Sequence, residues 1–190
     1  EQIELLVRVN AFRFAGHDKR SLLWKAYYHT YGKIAEPNQP ELFRRQIERI
    51  ELPVFSISEL ENAFDEIELF GFPLCSPFRL LKDHLISPYV RADEMSRFKN
   101  RRIQMLGYLI TVKRTRTANG KTMFFGTFID QAGKWVDTVH FPPVARQYPF
   151  RGKGIYIVKG KVVEEFDFYT LEVDAMERLP YIEDPRYALK

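Results

Sequence analysis

The chain has 190 residues, of which 45% are hydrophobic and 28% charged, with a net charge of +4. This globular profile suits one ordinary domain or two small ones and excludes a disordered or fibrous chain. The single cysteine, Cys75, excludes an internal disulfide framework and a thiolate-rich zinc site. No apolar run is long enough to span a bilayer and no secretory signal opens the chain, so the expected compartment is the cytoplasm. The first residue is Glu1 rather than Met, which gives the expectation of a piece of a longer chain.

From Glu1 to about Gly32 the spacing is helical. Ile3, Leu5, Leu6, Val9 and Phe12 recur at helical intervals, and Leu22, Leu23, Ala26 and Tyr27 do so again. Ala15-Gly16-His17 separates the two runs, and either Asp18 or Ser21 suits the cap of the second helix. His17 and His29 stand apart from other ligand types and read as ordinary histidines.

Residues 33–58 are polar and broken by Pro37, Pro40 and Pro53, the pattern of a surface linker. Within it lies Gln39-Pro40-Glu41-Leu42-Phe43. Two readings are open. Leu42 and Phe43 pack back onto the domain, or the segment is a docking peptide in which Gln39 offers its amide and Leu42 and Phe43 fill an apolar pocket.

Residues 59–97 read as a helical connector. Leu60, Ala63, Phe64, Ile67 and Leu69-Phe70 form an apolar stripe, and Gly71 and Pro73 stop the helix. Glu61, Asp65, Glu66 and Glu68 are expected on a solvated opposite face. Phe78, Leu80, Leu81, His84 and Leu85 predict one more short helix.

At Phe98 the period changes to that of strands. Residues 103–114 alternate as a long first strand with Gly107 inside it, and Asn119-Gly120 marks a hairpin. Residues 123–130 form a second strand, Asp130–Gly133 a tight turn and 135–141 a third strand. Pro142-Pro143 opens a short helix to Tyr148. Residues 154–163 form a fourth strand, Phe166–Phe168 a turn, and 169–176 a fifth strand. Five strands with a helix between the third and fourth is the order of an OB-fold barrel. The internal glycine suits a first strand that bends to pair on both sides. The expected class is α+β: a helical N-terminal subdomain, then a five-stranded OB-fold β-barrel over 98–179 and a tail over 180–190. A different small β-barrel is the alternative.

Charge is unevenly spread. Residues 1–95 carry a net −3, residues 96–160 a net +11 and residues 161–190 a net −4. Ser96 to Lys121 holds eight basic residues and no acid. Such a block is either the footprint of a polyanion, nucleic acid foremost, or a solvated basic face.

An OB barrel binds single strands across its second and third strands, between two loops. The candidate phosphate contacts are Arg101, Arg102, Lys113, Arg114, Arg116 and Lys121. Phe124 and Phe128 are expected to point inward and Phe125 outward, as a platform on which bases stack. The alternative for Phe125 is a barrel edge covered by a neighbouring domain. Trp135 and His140 on the third strand are further candidates for the surface, or else core. The sequence presents no nucleophile–base set, no Cys–His pair, no Gly-rich phosphate loop and no carboxylate cluster on strands. The chain therefore reads as a binding module, with no catalytic residue, metal site or cofactor of its own.

Several stretches together resemble a known family. They are Leu6-Val7-Arg8-Val9-Asn10-Ala11-Phe12, Glu68-Leu69-Phe70-Gly71-Phe72-Pro73-Leu74, Gly107-Tyr108-Leu109-Ile110, Asn119-Gly120-Lys121, Phe125-Gly126-Thr127-Phe128-Ile129-Asp130, His140-Phe141-Pro142 and Ile157-Val158-Lys159-Gly160-Lys161-Val162. Their order and spacing resemble the C-terminal region of the bacterial replicative DNA polymerases, the alpha-subunit (C-family) polymerases of DNA polymerase III. The resemblance implies the end of a helix-hairpin-helix region at 1–32 and a sliding-clamp-binding pentapeptide of the Gln-x-x-Leu/Met-Phe type in the linker. Gln39, Leu42 and Phe43 are then the clamp contacts. It further implies single-stranded template DNA, the sliding clamp and other replisome subunits as partners, no membrane, and a nucleoid-associated location. The parent chain would be a DNA-directed DNA polymerase whose magnesium belongs to a palm domain absent from these residues. Asn10 departs from the family's Gly-Ala-Phe, the hairpin glycines that hold duplex phosphates are not visible, and the region beyond the OB domain is missing except for a short start after Pro180. The alternatives are an anticodon-binding OB domain of an aminoacyl-tRNA synthetase, or a protein-interaction scaffold whose OB face is occupied.

Overall fold

The computed structural model describes residues 1–31, 58–82 and 89–187. Residues 33–57 of the expected linker, with Gln39, Leu42 and Phe43, lie outside the described residues, as do His84 and Leu85 of the expected short helix. Contacts divide the chain into two units, Glu1–Pro73 with Asp184–Lys190, and Leu74–Glu183. The division after Pro73 falls inside the stretch 59–97 that reads as one connector.

Among its described residues the first unit holds the α-helices α1 (Gln2–Arg8), α2 (Lys19–Tyr31) and α3 (Glu59–Phe70). Just past the end of α1, Asn10 adopts φ 60°. Left-handed backbone is glycine territory, and asparagine is one of the few other residues that enters it readily. Of the two expected caps for α2, Asp18 takes the role. It accepts hydrogen bonds from the Ser21 N–H at 2.9 Å and from the Ser21 hydroxyl, and these hold its carboxyl below the usual carboxylate range. Ser58 caps α3 through its hydroxyl, which accepts from the N–H groups of Leu60 and Glu61 at 3.1 and 3.4 Å. Gly71, at φ 78°, closes the helix as expected.

The acidic side of α3 is not a solvated face throughout. Asp65 and Glu66 are buried. Asp65 receives Lys19 Nζ at 2.7 Å, Arg8 Nη2 at 3.2 Å and Arg186 Nη1 at 2.6 Å. A carboxylate can leave water at tolerable cost when cations and their hydrogen bonds compensate it. Helical spacing places the apolar stripe correctly. The burial of Asp65 depends on Lys19 and Arg186, 46 and 121 residues away in sequence.

The second unit is a barrel built from β1 (Arg102–Arg116), β2 (Thr122–Ile129), β3 (Trp135–His140), α4 (Pro142–Gln147), β4 (Ile155–Glu165) and β5 (Phe168–Arg178). The strands close in the order β1-β2-β3-β5-β4, with β3 and β5 parallel and the other neighbouring pairs antiparallel. This is the OB fold expected from the strand count and the helix position. β1 pairs with β4 along Arg102–Tyr108 and with β2 along Tyr108–Arg116, so it changes partner at Tyr108. Gly107 adjoins that point, and a Cβ there would lie 3.0 Å from the Phe128 Cβ. The bend and the close packing of Phe128 share one glycine. A 3-10 turn at Pro77–Leu80 stands at the start of the expected short helix, and a longer 3-10 stretch over Ala92–Phe98 lies at the end of the part that reads as a helical connector.

Phe128, Tyr156, Val158, Val162 and Leu171 form the centre of the barrel core. Asp130 is buried at the end of β2 and fully used. Its Oδ1 accepts from the N–H groups of Ala132 and Lys134 at 2.9 and 2.8 Å, and its Oδ2 accepts from the Ala92 N–H at 2.9 Å. One side chain thus fixes both the β2–β3 turn and the segment that precedes β1.

Candidate nucleic-acid interface

Strand alternation sorts the central strands into two faces. On β2, Gly126 and Phe128 are buried, Phe124 is half-buried and Phe125 is exposed (41%). On β3, Val136, Thr138 and His140 are buried, while Trp135, Asp137 and Val139 face outward. The predicted orientation of the β2 phenylalanines therefore holds. Phe125 pairs with Lys113 of β1 on one side and Val139 of β3 on the other.

Around Phe125 lies a groove of about 690 Å³. Its floor includes Met123, Thr127, Asp137, Val139 and Phe141, and β1 adds Thr111 and Lys113. The far side is made by Val163 and Glu165 of β4 and Thr170 and Glu172 of β5. The Thr127 hydroxyl donates to Asp137 Oδ1 at 2.7 Å across β2 and β3. The groove thus offers two exposed rings, Phe125 and Phe141, with hydroxyls, three carboxylates and, among its lining residues, one cation, Lys113.

The basic hairpin does not turn all its charge toward this groove. Lys113 and Phe125 share one face of the β1–β2 ladder. Arg114 and Arg116, paired with Phe124 and Thr122, alternate to the other. Arg114 Nη2 lies 3.4 Å from the Thr122 hydroxyl. Lys121 lines a second depression of about 290 Å³ with Thr122, Phe124, Pro142, Ala145 and Arg146. The ribbon therefore carries cations on both faces, with the groove of Phe125 on one side and a basic depression beside α4 on the other.

Four further predicted site residues lie outside both the groove lining and the basic hairpin. His140 is fully buried, with Nε2 2.9 Å from the Thr138 hydroxyl. That hydroxyl gives its proton to the Gly126 carbonyl at 2.8 Å, so it accepts from the imidazole, which places the ring proton on Nε2. Nδ1 then has no partner, and burial lowers the pKa from 6.5 to about 4. His140 is a neutral core residue that braces β2 against β3, because its parity on β3 points into the barrel. Trp135 is exposed (65%) but stands at the start of β3, outside the groove lining. Arg101 and Arg102 lie at the opposite end of β1 from the hairpin, and Arg102 Nε is held by Asp174 Oδ2 at 2.9 Å.

Sequence reading placed the β4–β5 turn at Phe166–Phe168 but missed Phe141, Asp137 and the residues of that hairpin as lining of the groove. Phe141 lines the groove but reads as the end of a strand before two prolines. The hairpin carries the available signal: Phe166-Asp167-Phe168 occupies a turn where Asn and Gly are the usual residues.

A closed OB barrel with an aromatic groove across β2 and β3 and a cationic ribbon beside it has the geometry of a binding surface. No protein-family model matches the chain. A curated relative, DNA polymerase III subunit alpha of Halalkalibacterium halodurans, is 29% identical over 133 residues, covering 68% of this chain and 12% of that protein. This chain therefore corresponds to a small fraction of that relative's length. Among solved structures, the hypothetical protein ygiW of E. coli aligns over 49% of this chain and 91% of its own, with 10% identity and a TM-score of 0.36. A putative nucleic acid-binding lipoprotein of Klebsiella pneumoniae aligns over 47% and 78%, with 14% identity and a TM-score of 0.37. The N-terminal domain of PriB from Thermoanaerobacter tencongensis aligns over 43% and 99%, with 9% identity and a TM-score of 0.33. The OB assignment rests on the strand order of this barrel.

Proposed function

We propose that the barrel binds single-stranded DNA without strong sequence preference, as a non-catalytic part of a bacterial replicative polymerase of the DNA polymerase III alpha type. The observation that carries the reading is Phe125, an exposed ring on the outer face of β2, with Lys113 beside it and the cationic β1–β2 ribbon alongside. The similarity to a DNA polymerase III alpha subunit supports the replicative setting. Bases stack on Phe125 in the groove. Phosphates are disfavoured over its carboxylates, Asp137, Glu165 and Glu172, and run along the ribbon, where Lys113, Arg114, Arg116 and Lys121 neutralise them. Polymerisation and its magnesium belong to the parent chain.

Clamp docking through Gln39, Leu42 and Phe43 is part of the same proposal and rests on the resemblance and on the position of the pentapeptide in the sequence. The test of the DNA reading is fluorescence anisotropy of a labelled strand of about 20 nucleotides. Phe125→Ala is expected to cost roughly 1–3 kcal/mol of binding, one base stack. Equal affinity of wild type and variant at low salt refutes the assignment. The clamp proposal is tested separately by pull-down of the sliding clamp with wild type and Leu42→Ala/Phe43→Ala; undiminished capture refutes it.

A further inference from the structure

The β4–β5 hairpin has two loop residues, Phe166 and Asp167, closed by the pair Glu165 and Phe168. Both loop residues have positive φ, 53° and 61°. That is the geometry of a tight hairpin turn whose preferred residues are Asn and Gly, because a side chain in the left-handed region meets its own backbone. A bulky aromatic is among the poorest choices there. Phe166 also buries nothing, since its ring is fully exposed. The residue thus strains the turn and gains no packing in return, so folding does not account for its identity.

Its position does offer an account. Glu165, the residue before it, lines the groove of Phe125. Phe168 has the same parity on β5 as Thr170 and Glu172, both groove residues, and is itself more than half exposed. The hairpin therefore presents one aromatic on the groove's own face and a second at its tip, on the far side of the groove from the β1–β2 ribbon. We infer that Phe166 and Phe168 form a second stacking platform for an unpaired nucleobase, so that a single strand crosses the groove from the cationic ribbon to this hairpin. The inference rests on the single-strand reading of the groove and adds to it the far anchor of the strand. An unpaired base is the occupant that fits, because stacking needs a free π-face and no sequence-specific partner, and duplex bases are already stacked.

The experiment uses the 190-residue chain and a 20-mer single strand carrying 2-aminopurine, with Phe166→Asn, Phe166→Leu, Phe166→Trp, Phe168→Ala and Phe125→Ala variants. Phe166→Asn is expected to raise the melting temperature, by relieving the turn, and to weaken DNA binding about fivefold or more, the loss of one stack. Those opposite signs separate a binding role from a folding role. Phe166→Leu keeps an apolar side chain without a π-face and should bind as weakly as Asn. Phe166→Trp should retain affinity and the 2-aminopurine quench. Wild-type affinity and quench in Phe166→Asn overturn the inference, as they would if the hairpin met a protein neighbour instead. If Phe125→Ala still weakens binding in that case, the groove reading stands and only the far anchor is lost. If no variant changes binding, both readings fall.

Discussion

The charge layout of the β1–β2 ribbon makes a quantitative prediction about salt. Lys113, Arg114, Arg116 and Lys121 are all exposed and all lie on this hairpin or its turn. For single strands the logarithm of the binding constant falls with the logarithm of salt by roughly 0.7 per phosphate neutralised. Four contacts give a slope of about −2.8, so affinity should fall roughly fiftyfold between 50 and 200 mM salt. Removing one cation, as in Lys113→Ala, should move the slope to about −2.1 and cut the same salt penalty to roughly twentyfold. Arg102 differs, because Asp174 already holds it at 2.9 Å at the other end of β1. Arg101→Ala and Arg102→Ala should leave the slope unchanged. The assay is anisotropy of a labelled single strand at several salt concentrations, read as slope rather than single affinities. A flat wild-type profile refutes the electrostatic reading altogether. A reduced slope in Arg102→Ala equal to that in Lys113→Ala refutes the assignment of the footprint to the ribbon and returns it to the basic block as a whole.

Three further outcomes follow from the packing. His140 has a folded-state pKa of about 4 against 6.5 for the free side chain, so between those values the unfolded chain binds the extra proton. Barrel stability should be complete above pH 6.5 and fall as pH drops toward 4, by about 3 kcal/mol at most; His140→Phe should flatten this part of the pH–stability curve, and an unchanged curve by urea titration excludes His140 as its source. Gly160 faces β5 so closely that an added Cβ would lie 2.2 Å from the Glu172 carbonyl oxygen. Backbone cannot swing aside as a side chain can, so Gly160→Ala should destabilise the barrel by about 3 kcal/mol, and a urea midpoint equal to wild type would contradict that close approach. Asp65→Ala leaves the buried Lys19 without its carboxylate and should cost the helical unit roughly 3 kcal/mol; Asp65→Asn should recover little of it, and hydrogen exchange of α2 and α3 reports both.

The barrel was legible because its signals are local. Alternation, the Asn119-Gly120 turn, the double proline that opens α4 and Gly107 each act within a few residues, and all agree with one topology. The orientation of Phe125 was legible for the same reason: on a strand, the inward positions of Gly126 and Phe128 fix the outward ones. His140 failed as a surface candidate although the same parity rule applies to it. Its polarity suggested a surface role, whereas Thr138 supplies the hydrogen bond that lets an imidazole enter the core. Asp65 failed in the same manner, since its three cations arrive from α1, α2 and the C-terminal segment. Polar burial is decided by partners, and partners distant in sequence leave no periodic trace.

Charge counting along the chain and charge placement on the surface also diverge, and the divergence constrains how a strand would lie. The +11 of residues 96–160 suggests a basic groove. The folded groove has one lining cation and three carboxylates, because two of the latter, Glu165 and Glu172, come from the acidic segment that follows. A polyanion lying phosphate-first along that floor would meet Asp137, Glu165 and Glu172 at close range, which like-charge repulsion opposes. The same floor suits bases, whose amino and imino groups donate to carboxylates and whose faces stack on Phe125. The cations on the ribbon and the carboxylates in the groove therefore favour the same orientation, phosphates outward along β1–β2 and bases inward. A strand so oriented gains its affinity from the ribbon and its preference for unpaired bases from the groove, so Lys113→Ala should change the salt slope while Phe125→Ala should lower affinity at every salt concentration alike.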